Sequence, residues 1–315
     1  MLQGSFIKHA KLAIPVYLVL VALLVVTAII SPTFRTVDNT VNVISQFAPL
    51  AIAAIGQTII LLLGGIDLSV GSVVSFATVV MAIFSDISPA HLAGSILLAL
   101  AAGVATGVVN GIGIVKFKIP PLIMTLATMS VLKGVSLFLM PAPGGMVAMG
   151  FADAFALSWG PVSVMGLSVL ALYGIFFIML SSTRTGRNMY AAGGDLANAR
   201  KTGIPVTKVT ILGYALSGLL AAVAGIVLAA RIFSGDPIVG DAYSMDSIAA
   251  AVVGGTSLLG GIGGVIGSLA GALLISLTKN VLNMLNVFAY YQYIVKGVIL
   301  VLALLLFQTW GRGKK

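Results

Sequence analysis

Long apolar runs fill most of the chain, and short polar stretches separate them. The first run covers 14–30 and is followed by a polar stretch over 31–42 carrying Pro32, Arg35 and Asp38, expected as an external loop. No charge occurs from Val41 to Ile66, and the strong run 48–63 leads into Gly64-Gly65-Ile66-Asp67-Leu68-Ser69-Val70-Gly71-Ser72. Further runs follow at 73–84, 92–115, 119–140 and 162–180, then at 209–230, 247–278 and 290–307. The stretch 141–161, with Pro141, Pro143, Gly144, Gly145 and Asp153, is expected as a second external loop. Uncharged runs of this length exceed what a membrane helix needs. The pattern predicts an all-α polytopic membrane bundle of about ten transmembrane helices, with the count open around 231–265.

The longest polar insert is 181–208, SSTRTGRNMYAAGGDLANARKTGIPVTK. Within it the sequence marks both ends of a miniature helix. Asp195 is placed to cap the free amides of the next turn, and Arg200 and Lys201 fall in the last turn, where cations suit the dipole. Gly203 is placed for a left-handed closing conformation, and Pro205 stops the helix. Two turns alone are marginal in water. The insert is thus either a solvated loop or a docking knob for a soluble protein.

Composition narrows the class. Of 315 residues, 59% are hydrophobic and 8% charged, far below the charged fraction of about 25% usual in soluble domains. All eight acidic residues are Asp. The formal net charge of +9 sits in loops and at the ends, which fits orientation in a membrane better than nucleic acid. Basic residues then lie inside at the start of the chain, at 116–118, at 184–208 and at 312–315, with both termini cytoplasmic. The basic start before 14–30 lacks a small-x-small cleavage site and predicts an uncleaved first span. With no Cys and two isolated His, neither a disulfide nor a metal centre is expected. Gly103/Gly107/Gly111 and Gly263/Gly267/Gly271 repeat the small-xxx-small spacing that suits close helix contact. They fall in the predicted fourth and ninth spans. Two halves of five spans each would be inverted, as in many transporters.

No catalytic constellation and no phosphate-binding loop is present. Asp67 has two readings: an intramembrane carboxylate with a transport role, or a cap for the helix after Gly64-Gly65 in wet surroundings. Gly254-Gly255-Thr256-Ser257-Leu258 is a second break, whose hydroxyls either face a polar solute or close a tight turn at the surface. Asn280, Asn283 and Asn286 share roughly one helix face and serve either a hydroxyl-rich solute or neighbouring helices. Lys133, Lys279 and Lys296 are expected to reach an interface.

Four stretches carry a family resemblance: GQTIILLLGGIDLSVGS, GRNMYAAGGDLANARKTGI, YALSGLLAAVAGIVLAARI and DSIAAAVVGGTSLLGG. In that order they resemble the inner-membrane permeases of bacterial ABC sugar importers, in the ribose, xylose, galactose and autoinducer group, over about 34–306. The resemblance implies a single transmembrane permease domain over 1–315, paired with a second copy or a paralogue. It implies two ATP-binding subunits and a periplasmic binding protein as partners, and membrane lipid around the bundle. No cofactor is implied. The coupling role maps to Gly194, Asp195, Ala199, Arg200 and Gly203 within the loop 181–208. Two departures stand out: the family has Glu where this chain has Ser244, and acidic residues where it has Leu196 and Ala197. The expected function is a permease for a small polar solute, a monosaccharide, with Asp67, Thr256, Ser257, Asn280 and Asn283 as candidate pathway residues. The alternative is an ion-coupled secondary transporter using Asp67 or Asp246.

Overall fold

The computed structural model describes residues 13–288, 290–292, 294, 295, 297 and 298. Most of the predicted last span, Lys296 included, lies outside the described residues. The elements are helices α1 (Ile14–Ile30), α2 (Val37–Leu62), α3 (Ser69–Phe84), α4 (Pro89–Lys116) and α5 (Pro121–Leu139). After α6 (Met149–Ala156) comes a small antiparallel ribbon, β1 (Ser158–Trp159) with β2 (Val162–Ser163). Then follow α7 (Val164–Ser182), α8 (Arg184–Gly194), α9 (Leu196–Lys201), α10 (Val206–Ile232), α11 (Asp241–Val253) and α12 (Val265–Met284). Among the described residues, α2, α4, α5, α7, α10 and α12 are long and apolar enough to cross a membrane, and α1 and α3 are shorter apolar helices.

Three polar stretches hold more structure than their composition suggests. Helix α2 starts at Val37, inside the stretch expected as a loop, because the Thr36 hydroxyl accepts from the Asn39 amide and caps it. The stretch 141–161 carries α6 and strand β1 of the ribbon. The insert 181–208 contains α8 as well as the marked α9. At Val37 and in the insert a local cap outweighs the charge and glycine content that argued for loop, whereas α6 starts after Ala148 without a side-chain cap. Ser163 and Thr183 cap α7 and α8 in the same way.

Helices α2 and α10 form the centre. Every α2 side chain from Phe47 to Leu62 is buried, as suits a helix that is apolar all round. Helix α10 packs on α2, α3 and α4, while α12 packs on α2 and α11. Glycines bring the backbones close. At Gly103, Gly107 and Gly111 of α4 an added Cβ would strike Gly218, Tyr214 and Ile211 of α10. At Gly267 and Gly271 of α12 it would strike Gly254 and Ala250, so α12 contacts α11 the same way. Gly263 departs from the predicted stripe: it precedes α12, with φ 129°, against Thr256.

Candidate functional site

The first break, 63–68, joins α2 to α3. Gly64 takes φ 77° at the turn. Asp67 follows, and it is 1% exposed, so it does not have the wet surroundings of the capping reading. Its Oδ1 accepts from the Ser69 amide (3.0 Å) and the Ser69 hydroxyl (2.6 Å). Its Oδ2 accepts from the Ser217 hydroxyl of α10 (2.9 Å). Asp67 therefore supports the first turn of α3 as a cap does, but in the core. With its amide oriented to satisfy both atoms, Gln57 of α2 donates to the Asp67 carbonyl and accepts from the Asp67 amide.

The network extends outward from Ser69. Asn110 of α4 donates to the Ser69 hydroxyl (2.9 Å), and Thr128 of α5 donates to Asn110 Oδ1 (2.7 Å). Thr125 donates to the Ile66 carbonyl and accepts from the Leu68 amide. One carboxylate thus ties the break to α4, α5 and α10. Sequence reasoning missed Gln57, Asn110, Thr125, Thr128 and Ser217. Their common signal is an isolated amide or hydroxyl within an apolar run.

The starts of α3 and α11 lie against each other. The Ser244 hydroxyl donates to the Leu68 carbonyl (2.8 Å) and accepts from the Gly71 amide (3.1 Å). The Gly240 amide donates to the Ser75 hydroxyl (2.8 Å). Ser244, which stands where the resembled family has Glu, thus satisfies the backbone of the other broken helix.

The second break, 254–264, joins α11 to α12 through Gly255, Gly260, Gly261 and Gly263, all at positive φ. Ser257 closes it: its amide donates to the Ile262 carbonyl and its hydroxyl accepts from the Leu259 amide. Thr256 is fully buried, and its hydroxyl has no hydrogen-bond partner among the described residues.

The marked helix α9 has the predicted caps. Asp195 Oδ1 accepts from the Asn198 amide (2.9 Å). Gly203 takes φ 79°, and the Ile204 amide returns to the Ala199 carbonyl. Ala199 is buried, whereas Leu196, Ala197, Asn198, Arg200 and Lys201 are exposed, as are Gly194 and Asp195. Behind α9, the amphipathic α8 buries Gly186, Met189 and Ala192.

Three glycine segments meet beneath this pair. An added Cβ at Gly193 would strike the Leu62 carbonyl at the end of α2. One at Gly260 would strike the Gly193 carbonyl, and one at Gly261 would strike Gly194. The Gly261 amide donates to the Leu62 carbonyl (2.9 Å), and the Tyr190 hydroxyl donates to the Gly263 carbonyl (2.9 Å). Burial pushes the Tyr190 phenol up to about 12, so it remains a donor at neutral pH. A cavity of about 370 Å³ opens beside α9, lined in part by Gly64, Gly65, Lys118, Leu196, Arg200 and Tyr214. The helical knob and both breaks therefore share one backbone junction.

The remaining candidates lie elsewhere. Asn280 is buried and donates to Asn39 Oδ1 of α2. Asn283 accepts from Gln292. Asn286 falls beyond the end of α12 with φ 53°, so the three do not share a helix face. Asp246 is half-buried on α11. Lys133 does not simply reach an interface, because it bonds Asp241 of α11. Lys279 is exposed on α12.

Comparison with known proteins places this arrangement. The family described as "Branched-chain amino acid transport system / permease component" matches residues 39–304. The ribose import permease protein RbsC of Escherichia coli K12 is 42% identical over 300 residues, 91% of this chain and 91% of the relative. The RbsC protein of Bacillus subtilis is 37% identical, covering 92% of this chain and 91% of the relative. The L-arabinose transport system permease protein AraH of Escherichia coli K12 is 36% identical, covering 94% and 90%. No solved structure matches. These relatives are of the kind that the four motifs resemble. Matched by that family across most of its length and by such relatives nearly end to end, the chain belongs to the branched-chain amino acid transport system permease family and is a transport subunit, not an enzyme.

Proposed function

We propose that this chain is the membrane permease of an ATP-driven importer and forms the path for a small polar solute, a monosaccharide. The observation that carries the reading is the nearly end-to-end match to ribose and L-arabinose permeases. It favours ATP-driven import over the ion-coupled alternative based on Asp67 or Asp246. The family implies separate ATP-binding subunits and a periplasmic binding protein, and with them a multi-pass place in the bacterial inner membrane. A second permease copy or paralogue completes the assembly, with lipid around it. The chain performs no covalent chemistry; it positions the solute and gates its path.

Ten spans in two inverted halves remain the reading of the topology, with the chain acting as one transmembrane domain. Reciprocal packing supports it: α4 packs on α10 as α12 packs on α2, and α3 packs on α10 as α11 packs on α2. The basic residues Lys116, Lys118 and Lys208 lie at or next to helix ends, and Arg184, Arg187, Arg200 and Lys201 lie on α8 and α9 themselves. That asymmetry supports a cytoplasmic position for this end, with both termini on the same side.

Within the loop 181–208, α9 is the coupling helix, presenting Asp195, Arg200 and its neighbours to the ATPase. Gly194 and Gly203 set its two ends, and Ala199 seats it. ATP binding on the partner displaces α9, and the junction at Gly193, Gly260 and Leu62 passes the displacement to both breaks. Asp67, Thr256 and Ser257 lie in those breaks, so they are pathway candidates through the motion of the breaks rather than by direct contact. Asn280 and Asn283 have a weaker claim, because their amides already serve neighbouring segments.

The test is co-purification with the ATP-binding subunit in mild detergent, followed by ATP-driven sugar uptake in proteoliposomes. Intact protein is expected to hold two ATPase subunits, and Arg200→Glu and Gly203→Pro are expected to lose them. Sugar-stimulated ATP hydrolysis by this chain alone would sink the reading.

A further inference from the structure

We propose that Lys133 of α5 and Asp241 of α11 line the water-filled solute path and offer it a paired donor and acceptor for sugar hydroxyls. The proposal rests on the importer reading. Lys133 Nζ bonds Asp241 Oδ2 at 2.5 Å, the one ion pair among the described residues. The two side chains are 33% and 46% exposed.

Their depth makes that exposure informative. Lys133 lies about 18 Å along α5, a helix about 28 Å long. Thr125, two turns earlier, bonds the Asp67 break. The pair therefore sits about 12 Å beyond that break, well inside the span. Charged groups at such depth are expensive against lipid and normally face a water-filled cavity. Val131, on the far side of α5, is 69% exposed and purely apolar. Around the pair, Ser130 and Gly134 of α5 and Ala242 of α11 are exposed, and so are Leu137 and Met245 one turn along each helix.

Placement on α11 adds a link to gating. Asp241 follows Gly240, whose amide bonds Ser75, and precedes Ser244, which bonds the backbone at Leu68 and Gly71. The carboxylate thus stands where the first turns of the two broken helices meet. A hydroxyl that donates to Asp241 and accepts from Lys133 would loosen the α5–α11 bridge while occupying it. Binding of solute and movement of α11 then involve the same two side chains.

The native chain has no Cys, which allows a direct test. Asp241→Cys and Val131→Cys are made singly in the full transporter in proteoliposomes and treated with an impermeant cationic methanethiosulfonate. Asp241→Cys is expected to react at least tenfold faster than Val131→Cys. Equal, slow reaction of both would overturn the proposal. The second measurement is the charge swap Lys133→Asp with Asp241→Lys, which preserves a brace between the helices but reverses the groups offered to solute. Expected is a KM for D-ribose, L-arabinose or D-xylose uptake raised about tenfold in an assembled complex. Unchanged KM for every sugar transported would show a brace alone and overturn the proposal. If the unmodified transporter moves none of these sugars with ATP, the importer reading fails, and the labelling contrast still decides whether the pair faces water.

Discussion

The two broken segments are both glycine-rich, yet they are held in different ways. At 63–68 a buried carboxylate gathers the Ser69 amide and the hydroxyls of Ser69 and Ser217, and side chains of α4 and α5 extend the network. At 254–264 backbone packing dominates. Four glycines at positive φ shape the turn, Gly260 presses on Gly193, and a buried Thr256 hydroxyl has no partner among the described residues. The first break is fixed by side-chain hydrogen bonds inside the bundle. The second is fixed by close contact with α8, the element that carries the knob. A displacement of α8 and α9 would therefore reach 254–264 directly. It would reach 63–68 through Gly193 against Leu62 and through Gly261, which donates to Leu62.

The largest expected effect breaks the first segment. Asp67→Ala leaves an amide and two hydroxyls unpaired in the core, at about 1–3 kcal/mol for each unsatisfied group. Thermal unfolding followed by size-exclusion in detergent should show a loss of folded protein. Asp67→Asn retains an acceptor and should lose less.

Next is the contact between the segments. Gly193→Ala places a methyl on the Leu62 carbonyl, and overpacking of this kind costs about 1–3 kcal/mol. In the assembled transporter it should lower sugar-stimulated ATP hydrolysis more than ATPase binding. Gly174→Ala, on α7 away from the junction, is the control, since its added methyl meets nothing within 4 Å. Equal coupling in the two variants would remove the junction from the mechanism.

Smaller still is Tyr190→Phe, which deletes the hydrogen bond to Gly263 and should cost about 1 kcal/mol. The smallest effect sharpens the contrast by its sign. Thr256→Val removes a buried hydroxyl that has no partner among the described residues and should be neutral or stabilising, whereas Thr125→Val, at the first break, should destabilise. The same melting measurement reads both, and a comparable loss at the two sites would erase the distinction between the segments.

The sequence by itself determined the helical membrane class, most of the apolar runs, the two breaks and the capped α9. Each is written in a short window: a run of apolar residues, a Gly-Gly pair, or Asp195 and Gly203 at the right spacing. The small-xxx-small stripe of α4 was equally legible, although nothing in it names α10 as the partner. Only the tertiary structure decided that Asp67 is buried, that Asn110 and Ser217 serve its network, that Lys133 pairs with Asp241, and that Gly193, Gly260 and Leu62 share one junction. These join segments from 41 to nearly 200 residues apart. Local propensity fixes what a short window can form, whereas the partner of a buried polar group depends on which helices the packed bundle brings side by side.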